Sequence, residues 1–249
     1  MNATKDGKTG IETIIGACMD RRLGKALDKE AGKYEPGSVM FVRNAGGNVN
    51  GLEETLDIIL KENEGIKRIL FFEHNECGAC NVVYQASNKS IEVSEMVNNV
   101  LVSQFIKEKK SFASPVDVES LNVELQGNAL QKFRDSGIET SVRTMDVKEL
   151  GVPESHEEYV LAIGKPYTGK YGELADKLHI DPWSMYCLNA FSIIDIMPDI
   201  EIAAINLGIR KLKIVASDKH ERRWAENQKD VLKMMPFMRN VETDICNLY

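Results

Sequence analysis

The chain has no long apolar run, no strongly basic stretch and only four histidines. Its apolar runs, such as MFV and RILFF, are strand-sized. A membrane-spanning helix needs roughly 20 apolar residues, so no membrane partner is expected. The opening MNATKDGKTG contains no apolar h-region, which reads as the lack of a secretory signal. The densest basic cluster is IKEKK (Ile106 to Lys110), a solvated helix end inside a chain of net charge -7. No nucleic-acid partner is expected from that balance, because phosphate backbones are bound by clustered Lys and Arg. There are five cysteines (Cys18, Cys77, Cys80, Cys187 and Cys246), an odd number that does not make a disulfide framework. Reduced thiols in a cytoplasmic setting are the expectation. What remains is the composition of a globular protein, 43% hydrophobic and 28% charged, over 249 residues. That length supports one large core or two ordinary ones.

Strand-like and helix-like segments alternate. IETIIGAC reads as a buried strand ending at Cys18, RRLGKALDKEAG as a helix, and GSVMFVRNAGG as a strand running into a glycine turn. NGLEETLDIILKENEG places Leu52, Leu56, Ile59 and Leu60 at helical spacing, with Gly65 as its C-cap candidate, and IKRILFFEH is a third strand. Such alternation predicts an α/β fold with a mostly parallel sheet flanked by helices. A polar, mostly helical region follows, broken by an expected loop at SFASPVDVES, before NALQKFRDSG (helix) and IETSVRTMDV (strand).

After GVPESHEE the pattern restarts. EEYVLAIGK parallels IETIIGAC, GIRKLKIVASDKH parallels GIKRILFFEHNEC, and NVETDICNLY parallels GIETSVRTMDV. Ordered self-similarity of this kind predicts two related units, 1–150 and 151–249. In that alignment the second unit offers Gly164 or Lys165 opposite Cys18, Ser217 opposite His74, and His220 opposite Cys77. It is therefore expected to be metal-free. The Gly164–Gly169 spacing lacks the ending of a phosphate loop. Met234, Met235 and Met238 are expected to fill core, and Trp183 and Trp224 to pack the second unit.

Cys18 follows one expected parallel strand, and His74 and Cys77 follow another. Sites in open parallel sheets form outside the carboxyl ends of strands, so these three side chains converge if the strands are neighbours. Two thiolates and an imidazole favour zinc over magnesium or calcium, and three protein ligands leave a position open for water. Two residues beyond Cys18 stands Asp20, then Arg22. An ion pair there keeps Asp20 charged, able to accept a hydrogen bond at the open position or to occupy it.

Cys18-x-Asp20-x-Arg22, then RNAGG (Arg43, Asn44, Ala45, Gly46, Gly47), then His74-x-x-Cys77-Gly78 resembles the β-class carbonic anhydrases, and most of all their small prokaryotic branch. The motifs span roughly the first third of the chain, and a looser likeness in the order of elements runs to about Val147. The resemblance implies a zinc enzyme for the reversible hydration of carbon dioxide to bicarbonate. It implies one Zn2+ per chain on Cys18, His74 and Cys77, a catalytic dyad of Asp20 and Arg22, and RNAGG with Gly78 lining the substrate pocket. Carbonyl sulfide and carbon disulfide are alternative substrates among close relatives, and a non-catalytic zinc scaffold or sensor is the competing class. The family works as dimers, so the fused second unit implies a pseudo-dimer, open to further homo-oligomer formation, with Tyr186 or Phe191 completing the pocket. Arg21 departs from the small residue common at that place and adds positive charge near the site. The proton shuttle is unassigned among His156, His179 and His220. Cys80 has three readings, half of a CGAC redox dithiol, a fourth zinc ligand closing the shell, or a buried helix residue behind the site, and the last, a spare thiol, is the expectation.

Overall fold

The computed structural model describes residues 10–153 and 158–249. In the first half, strands form at β1 (Thr13–Cys18), β2 (Val39–Asn44), β3 (Arg68–His74) and β4 (Glu139–Met145). In the second they form at β5 (Val160–Gly164), β6 (Met185–Asn189), β7 (Lys211–Ala216) and β8 (Glu242–Asn247). Every residue of β1 and β5 is buried, as strands covered on both faces require. Helices fill the connections: α1 (Gly24–Ala31), α2 (Glu53–Glu62), α3 (Gly78–Ser87), α4 (Glu95–Val97), α5 (Ser103–Glu108), α6 (Pro115–Ala129), α7 (Gln131–Asp135), α8 (Tyr171–Leu178), α9 (Ile193–Ile205) and α10 (Lys219–Lys233).

The strands make one sheet in the order β4-β3-β1-β2-β6-β5-β7-β8. Within each half the pairings are parallel, and each half has the same internal order, written outward from the middle as second, first, third, fourth strand. The halves join antiparallel where Arg43 pairs with Asn189. The join is extended by Cys187 N–H to Met19 O (3.1 Å) and by Phe41 and Tyr167, which exchange backbone bonds of 2.7 and 3.3 Å. A hydrophobic core runs across both halves, from Ile14, Phe71 and Leu101 to Leu161, Ile196 and Ile214; a smaller cluster around Tyr171 and Met185 lies in the second half.

Side chains lock the join as well. Asp28 of α1 accepts from the first two backbone N–H groups of α8, Tyr171 (2.6 Å) and Gly172 (2.9 Å). Gly24 lies against the Tyr171 ring so closely that a Cβ would overlap it. Tyr171 in turn gives its hydroxyl to the Met185 carbonyl.

The alternation of strands and helices is as the sequence suggests, with local differences. α2 stops at Glu62 with Asn63 as its cap, three residues short of Gly65, because Asn63 leaves the helical region (φ -134°, ψ 86°). SFASPVDVES is only half loop: Ser114 caps α6 and Pro115 opens it, where a missing N–H costs nothing. Strand β6 was not foreseen, being short and lying between the polar DPWS and NAFS segments. Of the three methionines, Met238 is buried but Met234 is 72% exposed. No helix among the described residues is long and apolar enough to cross a membrane. The expected unit boundary follows the 3-10 turn Val147–Leu150. His156 lies outside the described residues.

Candidate metal centre

β1 is flanked by β2 and β3, both parallel to it, so the carboxyl ends of three strands lie side by side. Cys18 and His74 are the last residues of β1 and β3. After His74 the chain turns through Glu76, at positive φ (55°), and brings Cys77 to the N-cap of α3. The result is a buried tripod in which one ligand atom from each of Cys18, His74 and Cys77 lies within 4.8 Å of the others. The two sulfurs are 3.9 Å apart. It is the one group of three such side chains among the described residues, and the second half holds none.

The chemistry of these donors fits a soft divalent cation. His74 Nδ1 bonds the Asn75 carbonyl at 2.9 Å, which makes it the protonated nitrogen and leaves Nε2 with its lone pair. Nε2 is buried with no hydrogen-bond partner among the described residues. Gly46 N–H donates to Cys18 Sγ (3.3 Å), as a thiolate acceptor would require. Without a cation the sulfurs oppose ionisation. The Cys77 thiol and burial push Cys18 well up, and against the pull of Cys18, Cys80 and burial push Cys77 well up. A cation between them removes that opposition.

Asp20 and Arg22 stand at the edge of the tripod. Asp20 caps the 3-10 turn Arg21–Leu23, accepting from Arg22 N–H at 2.9 Å. Arg22 grips both carboxylate oxygens, Nε to Oδ1 at 3.0 Å and Nη2 to Oδ2 at 2.7 Å, and also donates to Glu76 O at 2.8 Å. Burial opposes the charge on Asp20, but the Arg22 fork outweighs it and holds the carboxyl below its usual range. Asp20 Oδ2 lies 3.8 Å from His74 Nε2. Tyr186 of β6 stands within electrostatic reach of both dyad members; burial, then the Asp20 charge, push its phenol up to about 12. Phe191 is elsewhere, its N–H on Thr55 Oγ1 and its carbonyl on Trp224.

RNAGG divides in two. Cys18 is in register with Asn44 and Ala17 with Arg43, so Arg43 emerges on the face opposite Cys18. Its guanidinium does not line the tripod. It bonds the carbonyls of Cys18 (2.9 Å) and Asp20 (2.7 Å) from behind and lies over the Tyr171 ring. Asn44 turns to Asn48 O. Ala45, Gly46 and Gly47 form the turn over Cys18, with Gly46 and Gly47 at positive φ. A Cβ on Gly47 would sit 2.6 Å from Glu73 Oε1, so the turn tolerates only glycine there. Gly78 opens α3, with Leu207 of the second half across from it.

One expectation about the extra groups changes, that for Arg21. Arg21 does not face the tripod; it is 5% exposed, bonded to the carbonyls of Trp183 (2.7 Å) and Pro153 (3.3 Å), and lies over the Tyr159 ring. The aromatic and carbonyl surface of the second half draws it away. Cys80 is buried in α3 with its thiol beside that of Cys77, and is outside the group of mutually close ligand atoms.

Residues without a sequence signal complete the surroundings. Asn122 of α6 donates to Gly46 O (2.9 Å) and Glu73 Oε2 (2.5 Å), and accepts from Gln126, whose Oε1 takes Val49 N–H at 2.7 Å. Glu119 Oε1 accepts Cys77 N–H at 2.9 Å. Glu73, the one acidic residue in an otherwise apolar strand end, was the available clue. A cleft of about 330 Å³ reaches Glu73, His74, Cys80 and Asn122 from the α6 side.

No protein-family model matches the chain, and no curated protein does. Among solved structures, two β-carbonic anhydrases are similar. One of the tetrameric enzymes from Sordaria macrospora is 16% identical, with 58% of this chain and 80% of that chain covered and a TM-score of 0.44. The enzyme from Aspergillus fumigatus is 15% identical over 58% and 74%, with a TM-score of 0.40. An apo carbon disulfide hydrolase is 17% identical over 58% and 78%, with a TM-score of 0.34.

Proposed function

We propose that this chain holds one zinc ion on Cys18, His74 and Cys77 and catalyses the reversible hydration of carbon dioxide to bicarbonate in the manner of a β-class carbonic anhydrase. The observation that carries the reading is a carboxylate locked by a guanidinium, with one oxygen 3.8 Å from the free nitrogen of a buried Cys2His tripod. Zinc held there supplies a Lewis acid that generates hydroxide near neutral pH.

The chain's own residues do the rest. The Gly46 N–H supports Cys18 as a ligand, and the Asn75 carbonyl fixes the His74 ring. Arg22 keeps Asp20 ionised and fixes its direction, so that Asp20 can accept a hydrogen bond from an O–H group at the open side of the tripod and orient that oxygen towards carbon. The turn Ala45–Gly47 and Tyr186 line the approach. The repeated strand order supports reading the chain as a fused pseudo-dimer whose second unit has lost its ligands. There Gly164, Lys165 and Ser217 stand at the matching strand ends, and Ser217 is engaged with Glu221.

The test is zinc per chain together with stopped-flow hydration of carbon dioxide, for the native chain and Asp20→Asn. About one zinc in both, with hydration falling on the order of 100-fold or more in Asp20→Asn, supports the proposal. Zinc without turnover of carbon dioxide overturns it. Turnover of carbonyl sulfide or carbon disulfide would then make the chain a hydrolase on the same site, and none at all would make it a scaffold.

A further inference from the structure

The segment that leaves the first half is bonded to both turns of the metal centre. Strand β4 runs parallel to β3, with Met145 in register with His74, so its carboxyl end emerges beside the ligands. Just beyond, Asp146 caps the 3-10 turn Val147–Leu150 and accepts Lys148 N–H at 3.0 Å. Lys148 pairs with Glu76 at 3.3 Å, and Pro153 O accepts from Arg21 at 3.3 Å, between Asp20 and Arg22. Glu76 O in turn accepts from Arg22 at 2.8 Å.

Asn75 is the residue at which this segment meets a metal donor. Both ends of its side-chain amide are engaged: Nδ2 donates to Asp146 Oδ1 at 2.9 Å, and Oδ1 accepts Val147 N–H at 2.8 Å. Its backbone N–H adds a longer bond to Met145 O, at 3.4 Å. Its backbone carbonyl takes the proton of His74 Nδ1 at 2.9 Å. That carbonyl belongs to the peptide shared with Glu76, a non-glycine residue at φ 55°. Such a conformation persists only where the surroundings hold it. Released, the turn gains by returning to negative φ, and that return reorients the peptide whose carbonyl holds the ring.

We infer that Asn75 is a positioning residue for the metal centre: anchored on Asp146 and Val147, its side chain holds the strained turn in which its own carbonyl orients His74 and leaves Nε2 for the cation. This rests on the zinc reading of the tripod, but not on which substrate is turned over. An asparagine that serves only its own turn bonds backbone groups a few residues away. Asn75 instead spends both ends of its amide on partners 71 and 72 residues distant. The orientation of a metal donor is thereby set by the segment that leads out of the first half.

The experiment compares Asn75→Ala, which removes both side-chain bonds and leaves the carbonyl, with the double variant Asn75→Asp, Asp146→Asn. In the double variant the roles exchange: the carboxylate accepts from the amide now opposite it and from Val147 N–H. Zinc affinity is measured by chelator competition, the visible bands are recorded after cobalt substitution, and solvent exchange of the His74 Nδ1 proton is followed by NMR in the zinc-loaded chain. The expected result is a zinc affinity roughly 10-fold weaker in Asn75→Ala, with displaced cobalt bands and faster exchange of that proton, all three restored in the double variant. Native affinity, bands and exchange in a folded Asn75→Ala overturn the inference, as does a double variant as impaired as the alanine one. If Asn75→Ala does not fold, Asp146→Ala decides, since it removes the outer partner at an exposed position: displaced bands support the inference, and native bands overturn it. A native chain that shows no cobalt bands overturns the tripod reading and this inference with it. A native chain that binds zinc with these effects but does not hydrate carbon dioxide refutes the function proposed above and leaves this inference standing.

Discussion

Replacing Asn122 by leucine separates hydrogen bonding from packing as the force that holds the turn over Cys18. Asn122 is 2% exposed and bonds Gly46 O, Glu73 Oε2 and Gln126 Nε2. Leucine has the same branched skeleton of four side-chain heavy atoms, so no cavity opens, and its larger methyl groups add to the loss rather than offset it. The change strands three buried groups, each worth roughly 1–3 kcal/mol when left unsatisfied. Burial of the new apolar side chain returns about 1.5–3 kcal/mol. From the middle of both ranges the net loss is about 3–4 kcal/mol, a large part of the roughly 5–15 kcal/mol that holds a typical native protein. Urea unfolding of the metal-free chain, followed by circular dichroism, reads this as a lower midpoint at unchanged slope. A loss below about 1 kcal/mol at the same slope would refute the reasoning, since the three groups would then have found other partners on relaxing.

Three further outcomes follow from the join and from Asp199. Asp28→Ala removes the acceptor shared by the first two N–H groups of α8 and should cost about 1–2 kcal/mol. Because a core runs through both halves, unfolding should remain a single transition; two separated transitions in calorimetry would contradict it. Burial in α9 pushes the Asp199 carboxyl well above the usual range. Between the unfolded value of about 3.9 and the raised folded value, the folded state keeps a proton that the unfolded state releases, so native stability falls as pH rises through that window. Asp199→Asn lacks this dependence. Its stability relative to the native chain should be constant below about pH 3.9 and rise above it until the native carboxyl itself ionises. Melting curves of the metal-free proteins across that range check this, and a difference flat with pH would refute it.

Much of the site was legible because its parts are local. Cys18, Asp20 and Arg22 fall within five residues, as do His74, Cys77 and Gly78, and each cluster follows an apolar strand whose end is plain from composition. The ion pair of Asp20 with Arg22 spans two residues, so spacing alone indicated it. Arg43 was misjudged for the opposite reason. Its place in RNAGG is local, but the face on which it emerges is set by register with Ala17. Arg21 went to Trp183 and Pro153, partners 162 and 132 residues away. Asn122 and Gln126 carry no motif, since their partners include the backbone groups of Gly46 and Val49, and every sequence possesses such groups.

By itself the sequence determined the α/β alternation, the buried strands and the identity of three donors, because periodicity and side-chain chemistry act over a few residues. Only the tertiary structure decided that β1 and β3 are neighbours, which turns two separated motifs into one tripod. It also decided that Cys80 stands beside the ligand group and not within it, and that β6 joins the halves into one sheet. Those outcomes depend on register and on burial shared between distant segments. They are properties of the packed chain, in which buried N–H and C=O groups each need a partner wherever along the sequence it lies.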